Sequence, residues 1–272
     1  MGLFSKKPSS CLGVDIGAGG MKVVELRNDK HRARLSTYGF AETTVGAVNG
    51  PMNPTSNLGS DLNAVAATLR EVCAKAKVES NRAVTSLPIA AVFSSIISLP
   101  RMSKKELPAA VQWEAKKLVP LPIEEMIIDW KLLTPEAELT KKNSTTKSIR
   151  VLLTGAPKQL VQQYITVFKA AKLELLSLET EAFALIRSLV GDDPSVVLIL
   201  DIGMARTSMV IVDTGVPILS RSIDIGGQDF TRAIAEAVGA DPSLAEQLKL
   251  DLAVMPTNPA AAGLPAILPR TL

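Results

Sequence analysis

The sequence has few of the residues that build metal centres, disulfides and covalent catalytic sites. Its 272 residues include two cysteines, Cys11 and Cys73, and one histidine, His31. A structural zinc site takes about four thiolate or imidazole ligands, so these residues are too few to form one. A Ser/His/Asp triad would depend on His31, which lies in the charged segment KHRAR and is expected to face solvent. The sequence therefore argues against a structural zinc and against serine-hydrolase chemistry.

The chain also has few aromatic residues, a nearly balanced charge and no long apolar run. Aromatic residues make up 4% of the chain, and 30 basic against 27 acidic residues leave a net charge of +3. Neither value favours a nucleic-acid partner, which calls for a basic surface and stacking side chains. The longest apolar runs, such as residues 196–200, are far shorter than the ~20 residues of a membrane span. We expect a globular cytoplasmic protein with reduced cysteines, no membrane span and no nucleic-acid partner.

The chain does contain the alternating strand and helix patterns of an α/β protein. Apolar residues recur with a period of two in several segments, and helical periodicity with capping residues separates them. The segment from 90 to 156 has a β-α-β-β order of its own, which is typical of an inserted subdomain. The predicted organisation is a leader at 1–10, a first lobe at 11–89 and 157–192, the small subdomain at 90–156 and a second lobe at 193–272.

An internal repeat is the most informative feature of the sequence. Asp15-Ile16-Gly17 recurs as Asp201-Ile202-Gly203, and each copy follows an apolar strand and precedes an alternating one. Glycine lets backbone N–H groups approach an anion closely, and an aspartate at the strand end can hold Mg²⁺ through water. One such turn is common in structural roles, but two in matching context indicate a duplicated, two-lobed architecture. The sequence thus predicts a polyphosphate site between the lobes.

The two copies, DIGAGGMKVVEL and DIGMARTSMVIV, resemble the phosphate motifs of the actin-like ATPase superfamily, which includes sugar kinases, actin and FtsA. LETEAFALIRSL resembles the helix motif that connects them. The segments ISLPRMSKKELPAAVQWEAKKLVPLPIEEMIIDWKLL and SRSIDIGGQDFT resemble the PilM family of type IV pilus assembly. The likeness covers about residues 9–252. It implies an actin-like α/β fold of duplicated RNase H-like lobes around a nucleotide cleft, with an inserted small subdomain.

The resemblance also implies a set of site residues for ATP and Mg²⁺ or Mn²⁺. Asp15 and Asp201 would hold the metal through water, and Gly226 and Gly227 would direct N–H groups at the nucleotide from a helix start. Glu179 is the candidate to position a hydrolytic water. The first phosphate turn would comprise Asp15, Gly17, Ala18, Gly19, Gly20 and Lys22, and the second Asp201, Gly203, Met204, Ala205 and Arg206.

Several of these assignments have structural alternatives in the sequence itself. Lys22 alternates along a strand and is compatible with facing solvent, while Gly226 and Gly227 suit a tight strand-to-helix turn. Glu179 fits a charge favoured by the dipole at a helix start equally well. Arg206 departs from the small or hydroxyl residue usual in the second turn, so it either reaches the phosphates or changes the site.

The partners implied by the resemblance are those of pilus assembly. Such a protein binds the cytoplasmic N-terminal peptide of PilN and links inner-membrane platform proteins to the pilus motor ATPases, at the cytoplasmic face of the membrane. Strand addition to 92–100 or 148–157 is one way to bind an extended peptide, unless both edges are already paired. The implied ATPase activity is weak or absent; the alternatives are an actin-like ATPase enzyme or an FtsA-type cell-division anchor.

The family's glycine-rich adenosine motif has no counterpart after Asp251. From the resemblance we expect the second lobe to be incomplete in this sequence.

Overall fold

The computed structural model describes residues 10–29, 32–42, 58, 61–135 and 148–254. His31, residues 1–9 of the predicted leader, the hairpin loop predicted at 136–147 and the tail after residue 254 lie outside them. The chain divides into two units, one of residues 1–199 and 209–221 and the other of residues 200–208 and 222–272. The lobe boundaries taken from the sequence stay a prediction. Across the described ranges, the helices fall short of the length and apolar character that crossing a bilayer requires.

The fold is mixed α/β, as the sequence pattern indicates. The strands are β1 Ser10–Gly17, β2 Gly20–Asp29, β3 Arg32–Glu42, β4 Arg82–Leu87, β5 Phe93–Pro100, β6 Met126–Leu132, β7 Ser148–Pro157, β8 Glu174–Thr180, β9 Val197–Ile202, β10 Thr207–Asp213 and β11 Val216–Ile223. The helices are α1 Leu62–Lys75, α2 Leu107–Leu118, α3 Lys158–Ala170, α4 Glu181–Leu185, α5 Gly227–Val238 and α6 Pro242–Val254. A π-helical turn, Ile186–Val190, continues α4.

A five-stranded sheet of order β3-β2-β1-β4-β8 forms the centre of the first unit. β1 is antiparallel to β2 and parallel to β4, which is in turn parallel to β8. α1 and α3 supply the helical part of the core that covers one face, with Leu69, Val72 and Phe168 buried. Gly39 of β3 lies so close to α1 that a Cβ there would stand 2.9 Å from Cβ of Ala76. The sheet therefore positions the first acid–glycine turn at the end of a buried central strand.

Helix starts follow the capping residues in the sequence. The Asp61 carboxylate accepts the Asn63 and Ala64 N–H groups at 2.9 and 3.1 Å and so begins α1. Glu106 accepts the N–H and hydroxyl of Ser103 in the turn that precedes α2, and Glu106 itself, not Ser103, is the N-cap of that helix. The Asp241 carboxylate accepts the Ser243 and Leu244 N–H groups at 2.9 and 3.1 Å before α6.

A second sheet, of order β5-β7-β6, has its own core with α2. β7 pairs antiparallel with both neighbours along most of its length. The suggestion that 148–157 offers an edge to a peptide is therefore wrong, because the backbone groups of this central strand are shared with β5 and β6. β5 and β6 are the edge strands of this sheet.

A third sheet has the order β11-β10-β9. Ile199, Val210 and Val212 form a core with Ala182 and Ile186 from the helix that follows β8. That helix spans α4 and the π-helical turn, and most of it lies in the segment LETEAFALIRSL that resembles the connecting helix motif. α5 and α6 pack on each other around Ile234 and Ala245.

Candidate functional site

The first acid–glycine turn is a two-residue hairpin. Gly17 pairs with Gly20, so Ala18 and Gly19 alone form the turn. Gly20 has φ 137°, and a Cβ there would stand 2.2 Å from the Ala41 carbonyl oxygen of β3. Both facts require glycine at 20. At Gly17 an added Cβ meets only ordinary contacts. Of these two glycines, Gly20 is therefore the one that the backbone conformation and the close contact require.

Asp15 and Lys22 form a cross-strand ion pair beside this turn. The Lys22 ammonium donates to the Asp15 carboxylate at 3.1 Å, and the two side chains are 67% and 52% exposed. An exposed pair of this kind contributes about 0–1 kcal/mol, so both charges can turn to another ligand at little cost. Lys22 therefore faces solvent along its strand and also lies within reach of the turn.

Tyr164 of α3 is a core residue that carries a polar group. Its side chain is fully buried, and its hydroxyl has no hydrogen-bond partner among the described residues. Burial raises the pKa of Tyr164, and the negative charges of Glu181 and Asp15 raise it further. A phenolic hydroxyl therefore lies in the electrostatic field of the Asp15 carboxylate. The one feature of the sequence that could have pointed to this residue is that a tyrosine stands at a core position of α3 where a phenylalanine would pack equally well.

Glu179 lies in β8, two residues before α4 begins at Glu181. Its carboxylate forms an ion pair with Arg187. Glu181 instead occupies the first turn of α4, and its carboxylate accepts the Ile89 N–H at 3.1 Å. Glu181 is not marked by any motif of its own in the sequence.

The second acid–glycine turn contains four residues between β9 and β10. The Gly203 N–H donates to the Arg206 carbonyl at 2.9 Å and closes the turn. From the start of α5, the Gly227 and Gln228 N–H groups donate to the Gly203 and Met204 carbonyls at 2.8 and 2.9 Å. The turn is thereby attached to the first turn of α5. Ala205 completes the loop, and Asp201 precedes it in β9 as a half-buried residue.

Gly226 packs directly on this second turn. A Cβ at Gly226 would lie 2.6 Å from both the Arg206 nitrogen and the Met204 carbonyl oxygen. Its own N–H donates to the Asp229 carboxylate at 2.8 Å, in the position of a capping box. The N–H groups of Gly226 and Gly227 are thus engaged within the protein, an arrangement that favours the tight strand-to-helix turn over direct donation to a nucleotide.

Arg206 is largely buried beside the same turn, with 16% of its side chain exposed. One guanidinium nitrogen, Nη2, stands 3.8 Å from the Asp224 carboxylate, and the other, Nη1, is buried without a partner among the described residues. A buried cationic donor left unpaired is costly unless an anion or water satisfies it. The second turn therefore offers a positive charge suited to an anion.

A second polar cluster fixes α6 to the beginning of α5. The Lys249 ammonium donates to the Gly227 carbonyl at 3.2 Å, to the Thr231 hydroxyl at 2.9 Å and to the Glu246 carboxylate at 2.6 Å. Burial raises the pKa of Glu246, but its bonds to Lys249 and Thr231 outweigh that effect and lower it overall. Glu246 is ionised at neutral pH and completes this cluster.

The carboxylates of Asp15 and Asp201 suit a metal ion only when a bound phosphate ligand supplies further oxygens. Within the ranges the structure describes, no group of three or more His, Cys, Asp or Glu side chains is arranged to hold an ion. Mg²⁺ in nucleotide sites takes one or two carboxylates, water and substrate phosphates, so Asp15 or Asp201 fits as a water-mediated contact.

Comparison with solved structures identifies the fold. A chain of a PilM–PilN type IV pilus biogenesis complex is 30% identical with a TM-score of 0.72, over 88% of this chain and 68% of that chain. The ethanolamine utilization protein EutJ from Carboxydothermus hydrogenoformans matches at 16% identity and a TM-score of 0.52, over 91% of this chain and 63% of that chain. At that identity the second likeness concerns the fold alone. The fold class predicted from the sequence, actin-like α/β, is confirmed.

A family model described as type IV pilus assembly protein PilM matches residues 13–259. The match covers most of the sequence and agrees with the 30% identical solved chain. The chain therefore belongs to the PilM family of type IV pilus assembly proteins.

Proposed function

We propose that this protein is an ATP-binding platform of type IV pilus assembly that captures the N-terminal peptide of PilN. The observation that carries the nucleotide part is the buried Nη1 of Arg206 at the second acid–glycine turn, which has no hydrogen-bond partner among the described residues. A phosphate oxygen there would accept its hydrogen bond and satisfy its charge. The first turn, with Asp15 and Lys22, would supply further contacts to phosphate.

The remaining residues of the proposed site act through the two turns. Mg²⁺, held through water by Asp15 or Asp201, would neutralise phosphate charge when bound. Gly226 and Gly227 would shape the second turn through the bonds described above. Glu179 is engaged with Arg187, which makes it a poor base for activating water and supports weak or absent hydrolysis. ATP then serves to stabilise the form of the protein that binds its partner.

The partner part of the proposal rests on the related solved chain, which forms a PilM–PilN complex. The edge strand β5 of the small sheet is the surface we propose for an extended PilN peptide, because a strand can add to it by backbone hydrogen bonds. Binding would hold the protein at the cytoplasmic face of the inner membrane. From there it would connect the membrane platform proteins to the pilus motor ATPases.

Thermal unfolding with and without Mg-ATP tests the nucleotide site. Ligand at a hundredfold excess over Kd stabilises the folded state by about 2.7 kcal/mol. Asp15→Ala should lose this gain. Asp29→Ala is the matched control, since Asp29 also forms an exposed ion pair in the same sheet, with Arg34 at 2.9 Å, but at the opposite end of β2 from the turn. Equal stabilisation of both variants would contradict the site.

Calorimetric titration with the N-terminal PilN peptide tests the partner. We expect saturable binding that a scrambled peptide does not show. Ser98→Lys, which adds a charge to an exposed position of β5, should weaken binding, while Ser148→Lys on central β7 should not. Binding that Ser98→Lys leaves unchanged would place the peptide elsewhere.

A further inference from the structure

The tripeptide Asp-Ile-Gly occurs a third time in the chain, as Asp224-Ile225-Gly226. Like the other two copies it follows a strand, here β11, but it leads into α5 rather than into a hairpin. The proposed function uses its glycine, which shapes the second acid–glycine turn, and leaves its aspartate without a role. The Asp224 side chain is 76% exposed, so packing in the core does not account for it.

The backbone of this third copy is fixed beside the second turn. The hydroxyl of Thr207, which directly follows the turn, donates to the Ile225 carbonyl at 2.8 Å. One residue further along, an added Cβ at Gly226 would stand 2.6 Å from the Arg206 nitrogen. Asp224 is therefore held next to Arg206, and only its exposed side chain is able to move.

Asp224 attracts the Arg206 guanidinium without saturating it. Its Oδ1 atom stands 3.8 Å from Nη2, which is farther than the roughly 2.7–3.2 Å of a hydrogen bond. Nη1 is buried and has no hydrogen-bond partner in the described part of the chain. At the first turn, by contrast, the Lys22 ammonium donates to the Asp15 carboxylate at 3.1 Å. Arg206 thus keeps a donor for an anion, and that anion must bind with the Asp224 carboxylate close by.

The charged side chains of the second turn leave it with one net negative charge. Two carboxylates, those of Asp201 and Asp224, accompany the single guanidinium of Arg206. Charges on the adjoining helices cancel in ion pairs, which are Asp229 with Arg232 at 3.1 Å and Glu246 with Lys249 at 2.6 Å. A polyphosphate is therefore attracted by Arg206 but repelled by the turn as a whole. This repulsion falls when a bound divalent cation neutralises part of the ligand's charge.

We propose that Asp224 makes the second turn prefer a polyphosphate complexed with a divalent cation over the same anion without one. The two η nitrogens belong to one guanidinium, so an anion at Nη1 lies within about a Debye length of Asp224, roughly 8–10 Å at physiological salt. Asp224 repels the bare anion at that distance and, through water, attracts the metal complex. Arg206 thus binds the phosphate, and Asp224 rejects the wrong form of it. The inference rests on the proposed nucleotide site and adds its selectivity.

Binding of ATP to the full chain, measured by calorimetric titration in EDTA and in excess Mg²⁺, tests the role of Asp224. We expect the wild type to bind Mg-ATP at least about tenfold more tightly than bare ATP, because like charges in proximity are costly. Asp224→Asn should raise the affinity for bare ATP about tenfold and change that for Mg-ATP far less, so the preference should fall. Tripolyphosphate should show the same preference, since the selection acts on the phosphate chain.

Asp192→Asn is the matched control. Asp192 is also exposed, and it precedes β9 whereas the second turn follows that strand, so the same change of charge is made at the opposite end. This variant should keep the wild-type preference, and circular dichroism checks that both variants are folded. Equal affinity of the wild type for both forms, or a full preference retained by Asp224→Asn, would overturn the role of Asp224 alone. A wild type that binds neither form would overturn the nucleotide site as well.

Discussion

The two acid–glycine turns share a sequence pattern but are held by different parts of the protein. The first is a two-residue hairpin fixed by the β1–β2 ladder and by the close approach of β3 to Gly20. The second has four residues and is fixed by the first turn of α5, which Lys249 holds in turn. The first presents an exposed ion pair, and the second a buried guanidinium.

This difference shows that the repeated Asp-Ile-Gly specifies where a strand ends but not how the turn is built. In the first copy, strand pairing determines the geometry, so the charged side chains are free to move. In the second copy, a helix start is attached to the turn, and the charge of Arg206 is enclosed. We expect ligand contact at the first turn to depend on side chains that can move. At the second turn we expect it to depend on the Arg206 side chain, which is already held in place.

Of the substitutions that compare the two turns, Gly20→Ala should cause the largest loss in the free energy of unfolding. Its φ of 137° is unfavourable for alanine, and the new Cβ would collide with the Ala41 carbonyl at 2.2 Å. We expect a loss of about 3 kcal/mol in the free energy of unfolding of the first unit. Gly17→Ala, where only ordinary contacts form, should cost far less. Urea unfolding of both variants measures the contrast, and similar losses would show that β3 does not constrain the first turn.

Gly226→Ala tests the second turn in the same way. The added Cβ would stand 2.6 Å from backbone atoms of the turn, which cannot move without breaking its bonds to α5. The expected loss is about 2 kcal/mol. At Gly227 a Cβ meets its nearest neighbours at 3.6 Å, so Gly227→Ala is the control. Hydrogen exchange of the Gly227 and Gln228 amides should accelerate in Gly226→Ala only; unchanged exchange would contradict the attachment.

Lys249→Met removes the link between α6 and the start of α5. Because Lys249 is three-quarters buried and makes three hydrogen bonds, we expect a loss of about 1–2 kcal/mol. Lys75→Met removes an ion pair with Glu71 that is mostly exposed and should cost much less. Chemical denaturation compares them. If the two losses match, the second turn does not depend on α6.

Tyr164→Phe should have the smallest effect and the opposite sign. Its hydroxyl is buried without a partner in the described structure, so removing it should stabilise the protein by about 0.5–1 kcal/mol.

The same substitution should change the alkaline stability. The pKa of Tyr164 is raised in the folded state, so the folded protein retains a proton that the unfolded chain loses above about pH 10. The corresponding stability is complete below that pH and declines as the pH rises further. Tyr164→Phe should show a smaller decline than the wild type in thermal melts between neutral and alkaline pH. An identical decline would mean that other groups control it.

The candidate site was predictable from the sequence to differing degrees. Asp15, Asp201 and their glycines could be found because a repeat in matching strand context is visible in one dimension. Arg206 could be named but not placed, since its burial depends on the packing of distant segments. Tyr164 and Glu181 were missed because their significance comes from proximity to Asp15 and Ile89, which lie far away in the chain.

The sequence by itself determined the α/β alternation, the helix starts at Asp61 and Asp241, and the family of the chain, because these depend on contacts between near neighbours or on repeated motifs. Only the tertiary structure decided that β7 is central, that Glu179 lies in a strand and that Glu25 is fully buried in β2, where it accepts the Glu79 N–H. The physical reason is that strand order and burial arise from partners distant in the chain. A period of two in the sequence indicates which side chains of a strand share a face. It does not indicate which neighbouring segment covers that face.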